Sequence, residues 1–81
     1  MCIIAIKPAG IDMPATTTIE NMWYNNDDGA GFMYAANGTV HIEKGFMTLK
    51  TFKAALKRLE KTIDVVNTPV VLHFRITTHG G

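Results

Sequence analysis

Apolar positions along this chain recur with two spacings, one suited to strands and one to helices. Cys2 is followed by Ile3, Ile4, Ala5 and Ile6 with no charge among them, a run that predicts a short, fully buried strand. Pro8 cannot continue a central ladder and Gly10 favours a turn, so the strand ends near Lys7. Ile19, Met22 and Trp23 fall on one face at helical spacing, and Thr17 precedes Glu20 by three residues in a capping-box pattern. These positions predict a short helix from about Thr18 to Asn25. The run from Asn25 to Gly31 breaks it, because Asn, Asp and Gly accept turn and left-handed conformations.

Two alternating runs, Phe32 to Ala36 and Thr39 to Lys44, flank Asn37-Gly38, which is a strong hairpin signal. On the second run Val40 and Ile42 share one face, and Thr39, His41 and Glu43 share the other. His41 is expected at a solvated edge, with no chemistry assigned to it. Thr48 is a plausible helix N-cap, with Met47 and Phe52 spaced for a hydrophobic staple. Leu49, Phe52, Leu56, Leu59 and Ile63 then form a helical stripe opposite Lys50, Lys53, Lys57 and Lys61. A basic helix face can bind phosphates or an acidic membrane. Here Glu60 interrupts the run and no aromatic residue is interleaved, so a solvated face over a covered sheet is the simpler expectation. After a turn at Asn67-Thr68-Pro69, Val70 to Ile76 read as a central strand, with His73 and Arg75 on one face and Leu72, Phe74 and Ile76 on the other.

Composition narrows the class. The chain has 81 residues, 47% of them hydrophobic, and a net charge of +1, as expected of a single small globular domain over residues 1–81. The near-zero charge argues against a dedicated nucleic-acid binder. No apolar run approaches the roughly 20 residues of a membrane span. A single cysteine excludes an internal disulfide and a CxxC metal site, and it fits a reducing, cytoplasmic setting.

Two features carry candidate chemistry. Cys2 stands directly behind the initiator Met. Removal of Met1 would leave a thiol and a free α-amine on one residue, a self-contained nucleophile and base. Free amines and thiols of this kind titrate near about 7.7–8.0 and about 8.5, close to neutrality. The bland alternative is packing, since free Cys behaves as a small hydrophobe. The second feature is Arg75, near the end of an otherwise apolar strand and followed by Thr77, Thr78 and His79. A guanidinium fork suits a carboxylate, supplied either by an acid distant in the chain or by a ligand. A metal site from His73 and His79 is set aside, because no carboxylate or cysteine lies near that pair in sequence.

The segment His73-Phe74-Arg75-Ile76-Thr77-Thr78-His79-Gly80 resembles the His-x-Arg-x-Ala-Thr-His-Gly motif of class II glutamine amidotransferases, which are N-terminal-nucleophile (Ntn) hydrolases. Met1-Cys2 is similar to the family's start, and Asp28-Gly29-Ala30-Gly31 to its Asp-Ser-Ala-Gly segment. Order and spacing also agree, most closely with short stand-alone phage and bacterial versions. The resemblance implies an α+β fold, the N-terminal half of an αββα sandwich of antiparallel sheets with flanking helices. It implies glutamine amide hydrolysis with Cys2 as nucleophile and no cofactor. Arg75 would hold the substrate carboxylate, Thr78 and His79 would line the glutamine pocket, and Asp28 and Gly29 would lie near the nucleophile. The chain departs from the pattern at Ile3, where the family has Gly, at Asn25-Asn26 in place of Arg-Gly, and at Ile76, where many members have an aromatic. The family's oxyanion-hole Asn-Gly pair and its acid for the substrate amine fall beyond Gly81. A second chain or a C-terminal segment is therefore expected to complete the fold. The alternative is a catalytically incomplete Ntn-fold binding or assembly module.

Overall fold

Alternation along four strands places one set of side chains under two helices and leaves the other set uncovered. In the computed structural model, which describes residues 2–76, the elements are β1 (Cys2–Lys7), α1 (Thr16–Asn25), β2 (Ala30–Ala36), β3 (Thr39–Phe46), α2 (Leu49–Thr62) and β4 (Val70–Arg75). The strands form one sheet in the order β1-β4-β2-β3, with every neighbouring pair antiparallel. The fold is a small α+β fold. Strands joined through a helix run parallel and are separated by one intervening strand, so β4 is central, as its β-branched start predicts.

The core lies between the sheet and the helices. Phe32 from β2 and Val70, Leu72 and Phe74 from β4 meet Ile19 and Trp23 of α1 and Phe52, Ala55, Leu56 and Leu59 of α2. Phe52 sits at the centre, with ring centroids 5.2 Å from Phe74, 5.6 Å from Phe46 and 6.2 Å from Phe32, all edge-on. Edge-to-face rings of this kind add to the stabilisation from burial. Phe46 reaches the core through a bulge. Ala30 pairs with Phe46 but Gly31 pairs with Lys44, so Gly45, at φ 86°, is the extra residue that turns Phe46 back toward the helices.

The local signals hold in part. Asn37 (φ 54°) and Gly38 (φ 73°) both adopt the left-handed region that a type I′ hairpin needs. The Thr48 hydroxyl accepts from the Thr51 N–H at 3.2 Å and caps α2. Met47 is exposed and does not staple that helix; Phe46 meets Phe52 instead. Helix α1 begins at Thr16 with no side-chain cap, so the Thr17–Glu20 box does not form. Glu20 instead pairs with Lys53 of α2 at 3.0 Å, an inter-helix bond that a reading of neighbouring residues cannot find.

The expectation of a fully buried first strand is overturned. Among the described residues β1 is an edge strand with a single neighbour, and Cys2, Ile4 and Ile6 are exposed. Its run is apolar on both faces, yet helices cover only one. Lys7, at the end of β1, is the surprise on the covered face. It is 4% exposed, and its Nζ donates to the carbonyls of Pro8 (3.0 Å), Ile11 (2.9 Å) and Val66 (3.2 Å). The buried ammonium thereby ties the loop after β1 to the turn before β4, and three acceptors offset its lost hydration.

Candidate functional site

Register decides where the candidate residues meet. β1 and β4 pair antiparallel with Cys2 opposite Arg75 and Ile4 opposite His73. Residues directly opposite in a ladder project to the same face, so the thiol and the guanidinium are cross-strand neighbours on the uncovered side of the sheet. His73 shares that face, diagonal to Cys2. Both Cys2 and Arg75 are exposed, and the thiol is free. Among the described residues no carboxylate pairs with Arg75.

The segment Asp28-Gly29 joins them from the other side of β4. The Asp28 N–H donates to the Arg75 carbonyl and the Arg75 N–H donates to the Gly29 carbonyl, each at 2.8 Å. This two-bond clamp continues the β2–β4 ladder by one step beyond Ala30 and fixes the height of Arg75 at the sheet's end. Gly29 takes φ 140°, a conformation L side chains rarely adopt, and that explains a glycine at the start of this turn. A cavity of about 310 Å³ opens here, lined by Asp28, Gly29, Lys44, Met47, His73 and Arg75. Its size is near the lower end for small-molecule pockets.

Lys44 is the participant that reading along the chain passed over. It lies opposite Gly31, which in turn lies opposite His73, so one row across the sheet carries Ile4, His73, Gly31 and Lys44. The hairpin turn at Asn37-Gly38 sets that register, which runs unbroken from Ala36–Thr39 to Gly31–Lys44 and shifts only at Ala30–Phe46. The alternation of β3, with Lys44 on the face of Val40 and Ile42, was the available signal. Thr78 and His79, expected in the same pocket, lie outside the described residues. His41 stacks on Tyr34 at the sheet edge with centroids 4.9 Å apart, away from this site.

The arrangement brings a free thiol, the Arg75 guanidinium, a second cation and a backbone turn to one end of one face. Such a set can hold an anionic group beside a thiol. No group of three or more His, Cys, Asp or Glu positioned for a metal occurs among the described residues. No helix is long and apolar enough to cross a membrane. Compared with known proteins, the chain matches no family model, no curated protein and no solved structure.

Proposed function

We propose that this chain supplies the nucleophile and the carboxylate clamp of an N-terminal-cysteine amide hydrolase acting on glutamine or a related amide. One observation carries the reading: Cys2, Arg75 and Asp28-Gly29, far apart in sequence, meet at one end of the sheet through ladder pairing. Arg75 would bind the substrate α-carboxylate and hold the side-chain amide over the thiol. With Met1 removed, the Cys2 α-amine would take the thiol proton as sulfur attacks the amide carbon. The C–N bond then breaks, the proton leaves with ammonia, and water hydrolyses the thioester to glutamate and free thiol. Thr78 and His79 are assigned to the same pocket by the motif resemblance alone.

The layered architecture belongs to the same proposal. A sheet with helices on one face and apolar side chains on the other has the make-up of half an αββα sandwich. The second layer would come from another chain or a further segment, and the protein would work in the cytoplasm. The exposed apolar face also favours a second reading, a binding or assembly module without turnover.

Covalent labelling separates the two. A glutamine-analogue chloroketone should add one adduct at Cys2 in a chain whose intact mass shows loss of Met1. Arg75→Lys should slow labelling by about 10-fold or more while far-UV circular dichroism stays unchanged, because a lysine cannot reproduce the two-bond fork. Retention of Met1, or a labelling rate indifferent to Arg75, would remove the hydrolase reading.

A further inference from the structure

Two glycines in successive rows leave a trough in the open face of the sheet. Register sets the rows: Cys2 with Arg75, then His73, Gly31 and Lys44, then Val71, Met33 and Ile42. On β2 the first row ends at Gly29, whose carbonyl accepts from the Arg75 N–H, and the second row holds Gly31. Neither glycine has a side chain, so the floor between β4 and β3 is bare main chain until Met33 rises in the third row. Two cavities follow this line, one of about 310 Å³ beside Arg75 and one of about 290 Å³ walled by Ile4, Met33, Ile42 and Val71. Both are lined by Gly31, His73 and Lys44, so they run into one another.

The trough has a charged mouth and an apolar body. At the mouth the cations Arg75 and Lys44 outnumber the single lining acid, Asp28, which favours an anion there. Glu43 borders the second cavity, but it lies opposite Phe32 and so projects toward the helix side. The trough meets its main chain instead: a Cβ on Gly31 would lie 2.9 Å from the Glu43 carbonyl oxygen. Along the body Ile4, Met33 and Ile42 are 39% to 64% exposed, apolar surface that a hydrocarbon chain laid there would take out of water.

We infer that the amide taken by this site is N-acylated, an N-acylglutamine or close analogue whose acyl chain lies in the trough. The inference rests on the reading of Arg75 as the carboxylate clamp and names the substrate class of that same site. Cys2 stands on the β1 side of Arg75 and the trough on the β2 side, each one strand away, roughly 5 Å. A carbon bearing a carboxylate, an amide-ended side chain and an acylated nitrogen sends one arm to each: carboxylate to guanidinium, amide to thiol, acyl group over Gly31. Free glutamine fills the first two places and leaves the apolar body to water. Length follows from the strand. Gly29 to Met33 is a rise of about 13 Å, the span of an extended chain of about ten carbons. Met33 is the end stop. A second sheet laid on the flanking side chains, as proposed above, would roof the trough.

Isothermal titration tests this on the full chain carrying Cys2→Ala, in which binding is not followed by attack of the thiol. The probes are N-acetyl-, N-hexanoyl-, N-decanoyl- and N-tetradecanoylglutamine. Affinity should rise about 100-fold or more from acetyl to decanoyl and level off beyond it, once the trough is full. Met33→Ala should move that limit to chains about three carbons longer. Ile42→Asp, at an exposed position, should weaken decanoyl binding by about 10-fold or more and leave acetyl binding unchanged. The methyl ester of N-decanoylglutamine should bind about 10-fold or more weakly than the acid, because it offers the guanidinium no anion. Affinity indifferent to chain length, a limit that stays in place in Met33→Ala, or an Ile42→Asp loss equal for short and long chains would overturn the inference. The two readings fail separately. Labelling of Cys2 in a chain with no length preference removes the acyl trough and keeps the hydrolase. A length preference in a chain whose thiol resists labelling keeps the trough and removes the hydrolase.

Discussion

The two faces of the same four strands do different work. Toward the helices, Val70, Leu72 and Phe74 are fully buried and Phe32 nearly so. One residue further along each strand, Val71, His73 and Arg75 of β4 and Met33 of β2 look the other way, among exposed isoleucines, the free thiol and Lys44. Stability is concentrated on the covered face, because that is where apolar area leaves water and rings interlock. The open face carries the residues with chemistry to offer and the apolar surface that no described residue covers. A one-residue shift of register in β4 would exchange the two roles, placing Arg75 and His73 in the core and Phe74 in solvent.

The sharpest way to break this division is a matched pair of truncations. Phe74→Ala should cost about 3–5 kcal/mol, a large share of what a chain of this size has. Ile42→Ala, at an exposed position on the open face, should change stability by no more than about 0.5 kcal/mol. Urea denaturation of both variants checks the contrast, and equal losses would dissolve it. Smaller in effect, Lys7→Met should cost about 1.5–3 kcal/mol, since it removes a charged donor from three carbonyls. It should also speed amide exchange in the loop after β1 ahead of the core strands. This would show that the covered face depends on one polar bond cluster as well as on apolar burial.

The smallest effect concerns pH. The Asp64 carboxyl is held below its usual range, first by the Asn67 side-chain amide and then by the Asn67 backbone N–H. A carboxyl depressed by folding stabilises above its unfolded pKa, and that contribution is lost as pH falls through the lower, folded value. Stability measured from pH 5 to pH 2 should therefore fall slightly less in Asp64→Asn than in the parent chain. Because the group is solvent-exposed, the turn before β4 should respond while both faces of the sheet keep their packing.

Much of the fold was legible locally. Asn37-Gly38 specified the hairpin because both residues tolerate positive φ. Thr48 specified the start of α2, and the stripe from Phe52 to Leu59 specified its buried side. The alternation of β4 separated Phe74 from Arg75 before any neighbour was known. Other features escaped because they depend on residues distant in the chain. Glu20 had a local amide to cap and took Lys53 instead. Phe46 reads as a solvent-side residue until the Gly45 bulge turns it inward. Nothing around Lys7 announces that Val66 will supply an acceptor.

Periodicity and turn chemistry along the chain thus determined the elements, the hairpin and which residues of each strand travel together, because φ/ψ preference and side-chain alternation are local properties. Tertiary structure alone decided that β1 is an edge, that Cys2 stands opposite Arg75, and that Lys44 and His73 share a row across Gly31. Those outcomes rest on strand order and register, which are set by the burial of all four strands at once against both helices.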